Sequence, residues 1–180
     1  MSLKVLSLMM ILGAFAGPAA FATPPAADDV MAQAEARARI EQKTIFLHFG
    51  ASWCGWCKKL EAYLDRADIK PVFDKYFISV RLDTQEDSKN KGLENPGANV
   101  WMTKVGGPDG LPFTAFLDAK GALIVNSKRV SSDGGEGHNI SYPSAAAELE
   151  WFGHMLRKAA PKMSAADLKI LETGLKGPKK

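Results

Sequence analysis

Residues 46–60 form the sequence FLHFGASWCGWCKKL, which contains both cysteines of the chain, Cys54 and Cys57. The apolar run TIFLHFGA, which overlaps its start, is typical of a strand buried on both faces of a parallel sheet. After the cysteines, Leu60 and Leu64 recur at helical spacing on one face. The stretch therefore predicts a buried strand that leads into a helix, with a C-x-x-C motif at the first turn of that helix.

The C-x-x-C spacing favours redox chemistry over a structural cross-link. The stabilisation that a disulfide gives by restricting the unfolded chain grows with the loop it closes, so a bridge across two residues stabilises little. At the start of a helix, unpaired N–H groups and the helix dipole favour a thiolate. Cys54 is accordingly predicted to attack a partner's disulfide. Cys57, about one helical turn on and more buried, is predicted to resolve the mixed disulfide that forms.

The N-terminus has the three-part pattern of a secretory signal peptide. Lys4 precedes an apolar run from Val5 to about Phe15, and small residues follow up to Ala22. Because the run is shorter than the ~18 residues that a membrane-spanning helix needs, we expect cleavage after Ala22 rather than a membrane anchor. The mature protein is therefore predicted to be periplasmic or secreted, with no stable insertion into a membrane.

The chain of 180 residues has the length and composition of one globular domain. Its residues are 46% hydrophobic and 24% charged, which allows an ordinary core, and no internal repeat or second core is visible. Residues 23–180 are therefore expected to form one domain after a signal peptide at 1–22. The net charge of +3 and the lack of a long Lys/Arg run give no indication of nucleic acid as a partner.

The pattern along the mature chain predicts an α/β fold. The predicted elements are helices at 28–42, after Cys54, within 95–106, at 144–160 and at 164–175, strands at 44–51 and 76–84, a hairpin at 111–130 and a glycine-rich loop at 131–143. Asn95 is expected to cap the short third helix, and Gly121 to take a left-handed conformation in the hairpin turn. The strand–helix–strand unit implies parallel pairing, and the hairpin adds two antiparallel strands. The result is one mixed four-stranded sheet flanked by helices on both sides.

Two segments of this sequence resemble the thioredoxin superfamily. The first is the buried strand followed by a small residue and Trp-Cys-x-x-Cys-Lys. The second is GLPFTAFLDAKG, which is similar to the cis-proline segment that precedes the third strand of that fold, with Leu111 and Pro112 in its key positions. The element order agrees from about Ala26 to Ala160. The resemblance implies a thioredoxin fold over about 26–160 with an extra C-terminal helix at 164–175, and the activity of a protein thiol–disulfide oxidoreductase with no cofactor.

The resemblance also implies roles for individual residues. The redox pair would be Cys54 and Cys57. Pro112 would be preceded by a cis peptide bond, and the backbone of Leu111 would pair with an extended substrate segment. Trp53 would shield one side of the pair, which is compatible with simple packing. The implied partners are protein thiol or disulfide substrates and a membrane-bound or other thiol electron donor.

The sequence departs from thioredoxin itself at three places. Trp56 replaces the proline usual between the cysteines; it offers no charge to a thiolate and is expected to be exposed in a docking surface. His48 replaces a buried carboxylate six residues before the first cysteine. When neutral it would relay a proton, and when protonated it would favour a thiolate; a hydrogen-bonded core histidine is the alternative. The segment 85–110 is longer than in a minimal thioredoxin and is expected to border the active site, although Trp101 lies at helix spacing from Val105, which favours the core.

The redox direction stays open between reductase and oxidase. We favour a reductase because an oxidising compartment needs dedicated reductants and because the residues between the cysteines supply no thiolate-stabilising charge. A metal-binding chaperone that uses Cys54 and Cys57 is a weaker alternative, since His138 and His154 lack the spacing of a zinc finger. A protein that binds peptides without turnover is a third, against which both cysteines argue.

Overall fold

The structure, a computed structural model, describes residues 23–107, 109–130 and 137–176. The predicted signal peptide at residues 1–22 and much of the predicted glycine-rich loop lie outside the described residues. No helix in the part of the chain that the structure describes is long and apolar enough to cross a membrane.

The elements in these ranges follow the predicted order. The helices are α1 (Ala27–Glu41), α2 (Gly55–Leu64), α3 (Lys70–Tyr76), α4 (Ala98–Lys104), α5 (Ala146–Ala159) and α6 (Ala165–Gly174), with a short 3-10 turn at Lys91–Leu93. The strands are β1 (Thr44–Gly50), β2 (Phe77–Asp83), β3 (Phe113–Leu117), β4 (Leu123–Asn126), β5 (Lys128–Arg129) and β6 (His138–Asn139).

Strands β1 to β4 form one mixed sheet in the order β2-β1-β3-β4. Strand β1 lies parallel to β2 and antiparallel to β3, and β3 pairs antiparallel with β4. Both central strands are buried along nearly their whole length, as their continuous apolar sequences predict. The predicted four-stranded mixed sheet is confirmed, and β5 and β6 form a separate two-stranded ribbon.

Helices cover both faces of the sheet. Residues of α1 and α4 pack against one face, where Trp101 is buried and its indole N–H donates to Asp28 at 2.7 Å; its predicted place in the core is confirmed. Helices α2, α3, α5 and α6 cover the other face. Phe73 belongs to an aromatic cluster there, with ring centroids 5.1 Å from Phe46 and 4.7 Å from Phe77. Each such ring contributes about 1.5–3 kcal/mol through burial.

The turn between β3 and β4 requires glycine at its last position. The Asp118 carboxylate accepts hydrogen bonds from the backbone N–H groups of Lys120 at 2.7 Å and Ala122 at 2.9 Å. Gly121 has φ of 75°, and a Cβ added there would lie 2.5 Å from a carboxylate oxygen of Glu35. The predicted left-handed conformation of Gly121 is therefore confirmed.

The start of α4 differs from the prediction. Gly97, with φ of 86°, takes the N-cap position that we expected Asn95 to hold. The side chain of Asn95 instead accepts from the N–H of Asp83 at 2.7 Å and donates to the carbonyl of Pro25 at 2.9 Å. The amide thus ties the chain before α1 to the end of β2, and these two tertiary bonds take the place of local capping.

Two short elements are absent from the predictions. Helix α3 has seven residues and begins with a proline in its first turn, so it is too short to give a clear hydrophobic period. Strands β5 and β6 have two residues each; β5 lies within the predicted hairpin and β6 within the predicted glycine-rich loop, so the ribbon that they form is what the predictions lack. Neither element carries a local signal that separates it from a connection.

The C-terminal helix α6 is anchored at both ends. The Ser164 hydroxyl accepts from the N–H of Asp167 at 3.1 Å and so caps the start of the helix. At the other end, backbone carbonyls that a helix terminus leaves without intrahelical partners accept side-chain hydrogen bonds. Tyr63 of α2 donates to Leu171 at 2.8 Å, and Tyr142 donates to Leu175 at 3.1 Å.

Candidate active site

Cys54 and Cys57 form a disulfide at the start of α2, with their Cα atoms 5.3 Å apart. Strand β1 ends at Gly50, and a tight turn leads to Cys54, which is the N-cap residue of the helix. The backbone N–H of Cys57 donates to the Cys54 sulfur at 3.1 Å. Cys54 keeps 3% of its surface exposed and Cys57 none. This N–H and the helix dipole lie where they stabilise a thiolate on Cys54 once the disulfide is reduced.

The segment before β3 lies against the disulfide. The peptide bond between Leu111 and Pro112 is cis, the geometry that the family resemblance implies. Leu111 packs against a small cluster formed by Ala51, Cys54 and Cys57. The structure therefore brings the redox pair and the proline segment together, although they are more than fifty residues apart in sequence.

Two half-exposed indoles belong to the loop and helix that carry the cysteines. Trp53 is 55% exposed, and its indole N–H donates to the backbone carbonyl of Gln85 at 2.8 Å. Trp56 is 51% exposed and stacks on Tyr142, with ring centroids 6.0 Å apart. The Lys59 ammonium lies 4.7 Å from the Trp56 ring centroid and 4.8 Å from that of Tyr142, a cation–π arrangement. The expected exposure of Trp56 is confirmed.

His48 lies in the interior on β1, on the same strand face as Gly50. It is 5% exposed, its ring stacks on Phe46, and its Nδ1 has no hydrogen-bond partner among the described residues. Burial, which strips water from the charged form, lowers the pKa of His48 from 6.5 to about 3, and the positive charge of Arg81 lowers it further. Both effects favour the neutral form of His48 at physiological pH, which is the form that the proton-relay alternative requires.

Arg81 occupies the position on β2 that pairs with His48 of β1. Its guanidinium contacts the Glu61 carboxylate of α2 and donates to Asp83 at 2.6 Å. A Cβ placed on Gly50 would be 3.5 Å from the Cys57 Cβ and 3.6 Å from an Arg81 nitrogen, so the guanidinium lies near the resolving cysteine. His48, Glu61 and Arg81 line a cavity of about 340 Å³ that reaches the surface.

The long polar segment after β2 borders the active site, as predicted, through a residue that sequence analysis missed. Glu86 is buried, and its carboxylate accepts from the backbone N–H of Ser52 at 2.5 Å and from the Ser52 hydroxyl at 2.7 Å. Together with the bond between Trp53 and Gln85, this contact fixes the loop that precedes Cys54. A glutamate in a polar stretch carries no signal of such a role.

The segment from Asn139 to Tyr142, at the end of the predicted glycine-rich loop, forms a second wall of the site. The Asn139 amide donates to the backbone carbonyls of Gly110 and Pro112, at 3.0 Å each. The Ser141 hydroxyl donates to the Leu111 carbonyl at 3.2 Å. With Tyr142 behind Trp56, the segment contacts both the cis-proline loop and the C-x-x-C helix.

The described residues contain no group of three or more His, Cys, Asp or Glu side chains that could hold a metal ion. His154 stacks on Trp151 of α5, with ring centroids 4.8 Å apart. His138 belongs to the β5–β6 ribbon. Neither imidazole belongs to a metal-binding cluster in this part of the chain.

Comparison with known proteins gives one family and several structural relatives. A model of a family described as thioredoxin-like matches residues 26–119. No curated protein matches the sequence significantly.

Three solved structures are similar to the chain. A disulphide isomerase from Xylella fastidiosa Temecula1 is 20% identical, with 92% of this chain and 98% of that chain covered and a TM-score of 0.47. The oxidised DsbD C-terminal domain from Neisseria meningitidis is 18% identical, with 74% and 99% covered and a TM-score of 0.42. A DsbH oxidoreductase is 22% identical, with 86% and 95% covered and a TM-score of 0.43.

The family match spans α1, the disulfide-bonded C-x-x-C motif, the cis-proline loop and β3. These are the segments on which the resemblance to thioredoxins depends. The chain therefore belongs to the thioredoxin-like family, with Cys54 and Cys57 as its C-x-x-C pair.

Proposed function

We propose that this protein is an exported oxidoreductase that reduces disulfides in protein substrates with the Cys54–Cys57 dithiol. The observation that carries the proposal is the Cys54 sulfur at the N-cap of α2, which accepts the Cys57 N–H at 3.1 Å, beside the Leu111–Pro112 segment. A nucleophile and a backbone edge for an extended substrate are the two parts that disulfide exchange with a protein requires.

The reaction proceeds by two exchanges at sulfur. The Cys54 thiolate attacks one sulfur of the substrate disulfide, which forms a mixed disulfide and releases the other substrate sulfur as a thiolate. The Cys57 thiolate then attacks the Cys54 sulfur, which frees the substrate dithiol and leaves the protein disulfide that the structure contains. Two electrons pass to the substrate, so a thiol donor must reduce the protein disulfide again.

His48 is proposed to take the proton that Cys57 loses before it attacks. Its imidazole is neutral, and its Nδ1 has no partner among the described residues. Because its pKa is about 3, the imidazole would not retain a proton at neutral pH and would pass it to the cavity that it shares with Glu61 and Arg81. His48 is thus assigned the role of a proton relay.

The substrate is proposed to bind across the exposed side of the disulfide. The backbone of Leu111 would pair with an extended substrate segment, and Pro112 would hold that edge next to the sulfurs. Trp53 and Trp56, both about half exposed, supply apolar surface on the C-x-x-C side. Large rigid aromatic side chains of this kind dominate binding surfaces.

The reductive direction is supported by the surroundings of Cys54. One backbone N–H and the helix dipole stabilise its thiolate, whereas Trp56 adds no charge and the Lys59 ammonium lies over aromatic rings. A weakly stabilised thiolate favours a low reduction potential. An oxidase is the alternative; it would be recharged by an oxidising partner rather than by a thiol donor.

The test combines a measurement of the reduction potential of the Cys54–Cys57 pair with a turnover assay. We expect a reduction potential nearer to about −270 mV, typical of reductants, than to about −120 mV, typical of strong oxidants. We also expect wild type to reduce insulin with a thiol donor, Cys54→Ser to be inactive, and Cys57→Ser to accumulate a mixed disulfide with insulin. Equal activity of wild type and Cys54→Ser would refute the enzymatic proposal, and a potential near −120 mV would reverse its direction.

Export is part of the same proposal and rests on the N-terminal sequence. Cleavage after Ala22 would leave a domain of residues 23–180, with a thioredoxin core at about 26–160 and the added helix at 164–175. N-terminal sequencing of the protein from an expressing bacterium should then begin at Thr23. Recovery of the intact N-terminus in the cytoplasm would contradict export.

A further inference from the structure

Ser141 reaches the backbone group on which substrate pairing depends. Its hydroxyl donates to the Leu111 carbonyl at 3.2 Å, and Leu111 is the residue before the cis-proline. We propose that Ser141 is a specificity-determining residue: its hydroxyl occupies the acceptor that a substrate N–H would use, so an extended substrate binds by displacing it. The inference rests on the proposed function, in which Leu111 pairs with the substrate.

The backbone around Ser141 is held in place on both sides. Its N–H donates to the Asn139 side-chain oxygen at 3.1 Å, and the same oxygen accepts from the Ser127 hydroxyl at 2.7 Å. The next residue, Tyr142, is anchored through its hydroxyl to the Leu175 carbonyl at 3.1 Å. These bonds favour displacement of the hydroxyl by rotation of the Ser141 side chain over movement of the whole segment.

Ser141 also has an unusual backbone conformation. Its φ is 53°, in the left-handed region that residues other than Gly, Asn and Asp seldom adopt. From this backbone conformation the side chain reaches the cis-proline loop at the Leu111 carbonyl. A strained residue next to a binding edge is typical of a functional position.

The Asn139 side chain ties the segment from Asn139 to Tyr142 to the cis-proline loop. Its amide donates to the carbonyl of Gly110, which precedes Leu111, and to the carbonyl of Pro112, which follows it. These carbonyls are therefore already engaged, and the neighbouring Leu111 carbonyl is bonded by a hydroxyl that can rotate away. The Ser141 hydroxyl can therefore leave the Leu111 carbonyl when a substrate binds, while the neighbouring bonds from the Asn139 amide stay in place.

The consequence is a selective penalty. A substrate that pairs through its backbone loses the net value of one hydrogen bond, which corresponds to about three- to tenfold in affinity. A small disulfide that makes no backbone pairing loses nothing. The hydroxyl thus disfavours generic extended chains and favours partners that gain further contacts, such as those with the exposed indole of Trp56.

The experiment measures single-turnover reduction of two substrates by the full chain, reduced beforehand and freed of reductant. The first is a ten-residue peptide with a disulfide-linked cysteine at its centre, and the second is hydroxyethyl disulfide, which has no amide. We expect Ser141→Ala to lower the half-saturating peptide concentration about three- to tenfold, with the limiting rate, the rate with hydroxyethyl disulfide and the reduction potential unchanged. Ser141→Gly, which fits the left-handed backbone without strain, should show the same gain.

Two controls identify the hydrogen bond. Ser144→Ala removes a hydroxyl that is bonded to Glu148 at 3.2 Å, and it should behave as wild type. A series of peptides, each N-methylated at one amide beside the cysteine, should contain one member for which Ser141→Ala no longer lowers the half-saturating concentration.

The outcomes separate the two proposals. An unchanged half-saturating concentration in both Ser141 variants overturns the inference, as does equal acceleration with hydroxyethyl disulfide, because the effect would then arise at the dithiol. A wild type that reduces neither substrate would refute the proposed function itself.

Discussion

Replacing His48 by glutamine should make the stability of the protein less sensitive to acid. The imidazole is 5% exposed, and its pKa falls from 6.5 to about 3 on folding because burial and the Arg81 charge both oppose protonation. Between these values the unfolded chain binds a proton that the folded chain does not. Since the folded pKa is depressed, the free energy of unfolding decreases as pH falls below 6.5, and the decrease ends near pH 3.

The magnitude follows from the two pKa values. At pH 7 the unfolded histidine is mostly neutral, whereas at pH 5 it is almost fully protonated and the folded one is not. The linkage relation then gives a loss of about 2 kcal/mol in the free energy of unfolding between pH 7 and pH 5. Glutamine has a similar size and does not titrate, so His48→Gln should remove this loss whatever it does to stability at pH 7.

The measurement is urea unfolding of the oxidised protein at pH 7, 6 and 5, with the free energy extrapolated to water. Wild type should lose about 2 kcal/mol more than His48→Gln over this range. His154→Gln, which replaces an exposed histidine of α5, is the matched control and should follow wild type. Parallel curves for wild type and His48→Gln would show that the imidazole is not held neutral, and the relay proposed for it would then lose its basis.

Two further substitutions test the loops around the site and the sheet. Glu86→Ala should lower the free energy of unfolding by about 2–3 kcal/mol, because it leaves the N–H and hydroxyl of Ser52 without their acceptor; a change under about 0.5 kcal/mol in urea unfolding would contradict the contact. Gly121→Ala should cost about 1–3 kcal/mol, because of its positive φ and the close approach of Glu35. Gly92→Ala, in open space, should change thermal or urea stability by less than about 0.5 kcal/mol; equal effects of the two alanines would rule out strain at position 121.

The parts of the fold that sequence predicts are those with strong local patterns. The bounds predicted for β1 and the predicted start of the helix after Cys54 each agree with the structure within one residue. The turn at Gly121 is predictable because a left-handed backbone conformation strongly favours glycine. The redox pair follows from its position at a helix start, since the chemistry of a C-x-x-C motif there depends on local backbone geometry.

The walls of the site depend on contacts that leave no such pattern. Glu86 bonds to a loop 34 residues earlier, and Ser141 to a carbonyl 30 residues earlier. Each is a common polar residue in a polar stretch, and its partners are backbone groups that every residue possesses. The sequence therefore predicts that a segment borders the site, whereas the identity of the contacting residue becomes visible only in three dimensions.

The hydrogen-bonded carbonyls at the end of α6 limit where the chain can be truncated. They accept hydrogen bonds from Tyr63, on the helix that carries the cysteines, and from Tyr142, which lies behind the exposed Trp56. A version trimmed to the minimal thioredoxin core would leave both hydroxyls without acceptors and uncover the apolar face of α5. Truncation after Pro161 would thus alter the reactive end of the molecule.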